Sequence, residues 1–553
     1  MLQENLVEFI ENSLKSNWFL QAYNDYGGQS LTYRKVAERI IWLQYIFKKS
    51  HMKNGDKIAL VGRNSSNWAI TYLATITYGA VIVPILPDFN PTDIHYIVNH
   101  SDSTFLFTAD SIYESLDESK MSGVDAIVSL RDFRILHSKK RHINQAFERA
   151  DSHYLDEFSQ LLGPDKLKFE QIPNDTLAAI VYTSGTTGFS KGVMLQHNCL
   201  MANIRFAITN LPLNPGDRIL SFLPLAHAYG CAFEFLFPTI LGCHITFLSK
   251  IPTPKILVKA FQEIKPQLIL TVPLILEKIY RKQIKPVIEK TSMKLLLKLP
   301  VIRKILLKSI NHKLHEVFGG KFHEVVIGGA PLNQEVELFF REIGFPYTIG
   351  YGMTECGPLI SYSNWKTTKL FSVGKIIDTL EVSIASSDPN NEVGEILVRG
   401  ENVMAGYYKN DDATSETIDK EGWLHTGDLG VIDEDRFIYI KGRCKSMLLG
   451  PSGQNIYPEE IEAKINNLPY VQESLVIEKT GKLFALIYPD LEMAETKGIT
   501  EENLKDIFEE NRRKLNKELP AYSIISQFQF YPEEFEKTPS KKIKRYLYTR
   551  LFS

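Results

Sequence analysis

Leu177-Ala-Ala-Ile-Val-Tyr-Thr-Ser-Gly-Thr-Thr-Gly-Phe-Ser-Lys-Gly192 runs without a break from an apolar, β-branched stretch into hydroxyls and glycines. The first part reads as a buried strand. In the second part, three glycines allow close backbone approach, hydroxyl and N–H groups can donate to phosphate oxygens, and Lys191 adds charge. This is the make-up of a polyphosphate-holding turn. It is not a Walker A loop, because Ser190 stands where the second glycine belongs and Gly192, not Ser or Thr, follows Lys191. A flexible surface turn is the plainer alternative, and the length and order of the run weigh against it.

Upstream the texture matches an α/β sheet. Helical patterns alternate with short strands: Tyr33 to Phe47 before Lys57-Ile-Ala-Leu-Val, then Trp68 to Tyr78 before Ala80-Val-Ile-Val. A second set is expected between Thr176 and Thr348, with strands near Ala178-Ala-Ile-Val-Tyr, His244-Ile-Thr-Phe-Leu, Leu268-Ile-Leu-Thr-Val and Glu324-Val-Val-Ile. The expectation is therefore α/β, with two parallel-rich layers. After about Phe371 short alternating runs such as Leu380-Glu-Val-Ser-Ile-Ala predict a small β subdomain over about 371–442. A lysine-rich, proline-punctuated tail then resumes the α/β pattern. A boundary near Arg443 to Lys445 would divide a domain of residues 1–444 from a small domain of 445–553.

At 553 residues the chain has room for several domains. Its net charge of -2 offers no global attraction to nucleic acid. The cysteines at 199, 231, 243, 356 and 444 stand far apart with no CxxC pair, which suggests neither a disulfide framework nor a zinc site. The opening residues carry glutamates where a secretory signal has basic residues. A reducing, cytoplasmic setting is expected. Ala69 to Leu86, the most apolar stretch, contains three threonines, Gly79 and Pro84, and reads as a buried helix running into a strand.

The run Tyr182–Gly192 resembles the signature of the adenylate-forming superfamily: acyl-CoA synthetases, aryl-CoA ligases, peptide-synthetase adenylation domains and beetle luciferases. The resemblance extends in order from about Leu31 to Lys542. It implies that Thr183, Ser184, Gly185, Thr186, Thr187, Gly188 and Lys191 hold the phosphates of ATP. Gly328-Gly-Ala-Pro-Leu332 is similar to the segment that packs against adenine, which gives that role to Gly328, Gly329 and Ala330. Gly350-Tyr-Gly-Met-Thr-Glu355 is similar to the aromatic-Gly-x-Thr-Glu motif. The resemblance puts Tyr351 beside the adenine with Gly352 in the nucleotide-binding set, Thr354 at the α-phosphate, and Glu355 on Mg2+ with Thr183 near the same ion. A lone Thr-Glu pair is otherwise a helix start.

Leu223-Pro-Leu-Ala-His-Ala-Tyr-Gly230 implies that His227 lines the carboxylate pocket, a core histidine being the alternative. Trp423-Leu-His-Thr-Gly-Asp-Leu-Gly430 resembles the segment whose Asp, here Asp428, takes both ribose hydroxyls; a carboxylate has the acceptors a vicinal diol needs. Arg443 resembles the second ribose contact and Lys445 the hinge, with Ser446 where the family has an acid. Gly453, in Gly450-Pro-Ser-Gly-Gln-Asn-Ile-Tyr-Pro, would line a thiol tunnel. Glu536-Lys-Thr-Pro-Ser-Lys-Lys-Ile-Lys-Arg545 places Lys542 as the adenylation lysine, with Lys541 where glycine is customary; a solvated basic tail is the alternative.

What the resemblance implies is ATP-dependent activation of a carboxylic acid through acyl-AMP, then transfer to CoA as a mobile C-terminal domain rotates. Acyl carrier protein as acceptor, an aryl or short-chain acid, and a catalytically silent binding relative stay open. Between Arg281 and Lys313, ten Lys or Arg stand against one acid, Glu289, among runs such as Leu295-Leu-Leu. This tract resembles the insert of long-chain fatty acyl-CoA synthetases, which favours a medium- or long-chain fatty acid. It reads either as a surface for peripheral contact with the inner membrane face or as a solvated helical face.

Overall fold

The structure, a computed structural model, describes residues 1–157, 163–183, 191–449, 454–479, 481–538 and 543–552. Ser184, Gly185, Thr186, Thr187, Gly188, Gly453 and Lys542 lie outside the described residues.

Among the described residues the largest sheet has eight strands, in the spatial order Gly406–Tyr407, Lys191–Gln196, Leu177–Thr183, Val81–Ile85, Lys57–Val61, Ser103–Thr108, Ala126–Ser129 and Ile135–Ser138. Pairings from Leu177–Thr183 through Ala126–Ser129 are parallel, and those at both edges are antiparallel. A βα alternation demands such a sheet, because each helix carries the chain back to start the next parallel strand. One strand is placed differently from the sequence reading. Leu177–Thr183 belongs to this first sheet, with Ala179 opposite Ile82, and not to the later set. Apolar texture marks a strand as buried but does not name its neighbour.

The later set is two sheets. His244–Phe247 lies between Arg218–Ser221 and the N-terminal strand Gln21–Asp25, parallel to both. Leu268–Thr271, Glu324–Ile327 and Tyr347–Ile349 form a separate parallel sheet. Leu380–Ala385, Gly394–Gly400, Leu424–Ile432 and Ile438–Arg443 then pair antiparallel. Toward the C-terminus, Val471–Lys479, Lys482–Pro489 and Ile525–Phe530 form a further sheet.

The helix Ser66–Tyr78 explains how the most apolar stretch tolerates polar groups. Ser65 caps its start by accepting from Trp68 N, and Gly79 ends it at φ 86°. Within it the hydroxyls of Thr71, Thr75 and Thr77 donate to the carbonyls of Asn67, Thr71 and Leu73 at 2.8, 2.7 and 2.6 Å, so no hydroxyl is buried unpaired. Among the described residues no helix is long and apolar enough to cross a membrane. The main buried apolar cluster draws on residues from Leu6 to Ile438. Separate clusters are built from residues between Ile456 and Ile525 and between Leu475 and Tyr548.

Candidate active site

Ile327 and Ile349 are register partners in adjacent parallel strands, and Gly350 N donates to Ile327 O at 2.9 Å. Gly328 and Gly350 thus leave the sheet side by side, at the carboxyl ends of their strands, where open α/β sheets place ligands. Gly329 follows at φ 87°, a left-handed conformation that favours glycine. A Cβ on Gly328 would sit 3.0 Å from the ring of Tyr229, whose hydroxyl donates to Val326 O at 3.0 Å. The Tyr229 ring therefore backs Gly328, while Gly329 and Ala330 are exposed. His227, two residues before Tyr229, is exposed, which removes the core-histidine alternative.

From Gly350 the chain enters Tyr351, which is buried and donates from its hydroxyl to Asp428 Oδ2 at 2.7 Å. Asp428 and Arg443 are register partners of neighbouring antiparallel strands, and Arg443 Nε stands 3.1 Å from Asp428 Oδ1. Burial first, and the Asp428 carboxylate second, hold the Tyr351 phenol far above the usual tyrosine range. The phenol stays a donor. Each Asp428 oxygen keeps a lone pair beyond these contacts, so the carboxylate can still accept from a diol.

A second chain of contacts starts at the hairpin. Thr183 and Lys191 are register partners at its mouth, with Thr183 Oγ1 3.5 Å from Lys191 O. Lys191 Nζ lies 4.7 Å from the centroid of the Tyr407 ring, and Tyr407 donates from its hydroxyl to Glu355 Oε1 at 2.9 Å. Met404 N donates to Glu355 O at 2.9 Å, which fixes the backbone there. Tyr407, held by burial and by Glu355 well above its ordinary pKa, is likewise a permanent donor. No cluster of three or more His, Cys, Asp or Glu suited to a metal exists among the described residues. One carboxylate and one hydroxyl, Glu355 and Thr183, nevertheless fit Mg2+, which takes few protein ligands and completes its shell with phosphates and water.

Tyr407 and Tyr229 were not visible as site residues in the sequence. The only sign of Tyr407 was a glycine before it. Gly352 shows a use unrelated to any ligand: a Cβ there would lie 2.1 Å from Pro358 O in the hairpin between Tyr351–Gly352 and Leu359–Tyr362. Thr354 opens the 3-10 turn Thr354–Cys356, so Glu355 sits on a short rigid turn, and Cys356 is buried in packing. Lys445 is exposed in the turn Cys444–Ser446, directly after Arg443.

Glycine segments at strand ends, the Tyr351–Asp428–Arg443 cluster and the Lys191–Tyr407–Glu355 contacts thus bring together several of the residues singled out in the sequence. The chain belongs to the AMP-binding enzyme family, whose model matches residues 16–408. It is 28% identical to 4-coumarate–CoA ligase CCL1 of Humulus lupulus, over 98% of this chain and 91% of that protein. It is 27% identical to long-chain-fatty-acid–CoA ligase FadD15 of Mycobacterium bovis, over 90% of this chain and 87% of that one. The fold matches ATP-bound MatB from Rhodopseudomonas palustris with a TM-score of 0.76 at 21% identity, covering 99% of both chains.

Proposed function

We propose that this chain is an AMP-forming acid–CoA ligase whose acid is a medium- or long-chain fatty acid. The observation that carries the reading is a pair of contact groups, Tyr351–Asp428–Arg443 and Lys191–Tyr407–Glu355, linked through the short stretch from Tyr351 to Glu355 that follows the strand Tyr347–Ile349. In this reading Gly328, Gly329 and Ala330 lie along the adenine, and Asp428 and Arg443 hold the ribose. Thr183 and the residues 184–188 hold the phosphates, and Thr354 meets the α-phosphate. His227, exposed beside Tyr229, borders the carboxylate of the acid.

A free carboxylate lacks a leaving group, and attack on the α-phosphorus supplies one while building charge on phosphate oxygens. Lys191 and Lys542 provide positive charge at that point, and the fixed strand ends supply orientation. Mg2+, held by Glu355 and Thr183 when bound, would neutralise phosphate charge. Thiol attack on the acyl carbonyl then expels AMP and no longer needs Lys542. The proposed small domain, residues 445–553, would turn about Lys445 between the steps and bring Gly453 to the thiol.

Carboxylate-dependent ATP–pyrophosphate exchange tests the first step, and profiling acids from C2 to C18 against CoA and acyl carrier protein tests the second. Exchange should require an acid and peak with fatty acids. A preference for small aromatic acids overturns the substrate, and no exchange with any acid overturns the enzyme. Lys542→Ala should abolish exchange yet spare thioester formation from supplied acyl-AMP; equal loss of both steps refutes its role.

A further inference from the structure

We infer that the two-helix projection of residues 290–313 is a docking surface for an anionic lipid bilayer. It consists of the helices Thr291–Leu297 and Pro300–Val317. From Lys285 to Lys313 not one residue is buried, although the stretch includes Met293, Leu296, Leu297 and Ile302. Leu295, Val301 and Ile305 are 67%, 73% and 63% exposed. A soluble surface tolerates single exposed apolar residues, but five within eleven, Leu295, Leu296, Leu299, Val301 and Ile305, call for a partner.

The second helix has two apolar sides. Leu307, Ile310 and Leu314 pack on the main cluster, and Arg303 and Asn311 bond to Glu342 and Gly344 O on the same side. At about 100° per residue, Val301 and Ile305 fall on the other side, with Lys304 and Lys308 between the two. The inward side already has its core, so the outward side is surplus to folding.

The charges decide the partner. From Lys290 to Lys313 there is no acid, and Lys290, Lys294, Lys298, Lys304, Lys308 and Lys313 form no ion pair among the described residues. By contrast Lys282 and Lys285, at the start of the basic tract, are paired with Glu492 and Glu335 at 2.8 Å each. The patch therefore begins near Lys290, later than the sequence alone indicated. Unpaired lysines ringing exposed leucine, valine and isoleucine match an interface of anionic headgroups over acyl chains, with lysine stems long enough to keep the ammonium in the headgroups. An acidic protein would use the lysines and leave the apolar group in water. This placement stands whatever the enzyme's substrate, because it rests only on the surface.

The test is co-sedimentation of the full-length protein with phosphatidylcholine vesicles and with equimolar phosphatidylglycerol–phosphatidylcholine vesicles. At low salt the bound fraction on anionic vesicles should exceed that on neutral ones by about tenfold or more, and fall as salt screens the lysines. K294E/K298E/K304E and, separately, L295S/V301S/I305S should each cut binding about tenfold or more while leaving turnover of a water-soluble acid unchanged. Equal binding to both vesicle types, or binding that neither variant reduces, overturns the proposal. So does a protein that ignores vesicles but binds acidic acyl carrier protein through the same lysines.

Discussion

Tyr351→Phe removes one oxygen and leaves the ring where it is, which isolates the bond to the Asp428 carboxylate at 2.7 Å. Hydrogen bonds to charged groups contribute about 1.5–3 kcal/mol, so KM for ATP should rise roughly tenfold or more in pyrophosphate exchange while the chain still folds. An unchanged KM would mean that Arg443 alone orients Asp428. Single residues could be singled out where chemistry leaves a local mark: Asp428 follows Gly427 within the strand Leu424–Ile432, and Glu355 follows a threonine in a turn. Tyr407 was not, because its role comes from contacts to Lys191 and Glu355, distant in the chain, and a tyrosine beside another tyrosine announces neither. Gly352 entered the nucleotide-binding set through its motif alone, and its close neighbour in the structure is Pro358 O.

At the level of elements, that contact makes Gly352→Ala a test of the hairpin rather than of the ligand. A Cβ 2.1 Å from a backbone oxygen cannot be relieved by a side-chain rotation, so the hairpin must shift. The variant should lose about 2 kcal/mol or more, seen as a lower melting temperature without any nucleotide present. The helix Gln334–Ile343 offers a pH test. Glu337 is buried on it and accepts from Phe371 N at 2.7 Å. Burial raises its carboxyl from 4.5 to about 7, so between those values the folded chain holds a proton that the unfolded chain has released. The stabilisation is complete below the unfolded value and is lost as pH rises through about 7. It amounts to roughly 3 kcal/mol at most. Urea unfolding at pH 5 and pH 8 should show this decline, and Glu337→Gln should flatten it; an equal slope in both proteins would exclude Glu337 as its source. Element identities were readable because period and caps are local, as at Ser65 and Gly79. Strand order was not, since the neighbour of Leu177–Thr183 is chosen by packing against Val81–Ile85, about ninety residues earlier.

Across the whole molecule, the residues before and after Lys445 meet through polar contacts: Arg281 Nη2 donates to Asn466 O at 2.8 Å, Lys282 pairs with Glu492 at 2.8 Å, and Lys441 with Glu460 at 3.6 Å. The two ion pairs are exposed and contribute little each, and the proposed rotating domain can exchange such contacts for others at small cost. The buried clusters on the two sides are separate, so rotation need not open a core. In the proposed rotation the backbone at Cys444–Ser446 absorbs the turn. Proline at 445 would fix φ near −65° and favour one orientation of the proposed small domain. Lys445→Pro should therefore leave one half-reaction within about threefold of wild type, while the other, and overall thioester formation, fall on the order of a hundredfold or more. Pyrophosphate exchange reads the first half-reaction, and thioester formation from supplied acyl-AMP reads the second. If both fall together in a protein whose melting temperature is unchanged, the defect lies in the shared site and the hinge at Lys445 is wrong. If neither falls, the two steps share one arrangement, and the lysine at 542 and the glycine at 453 do not need to exchange places.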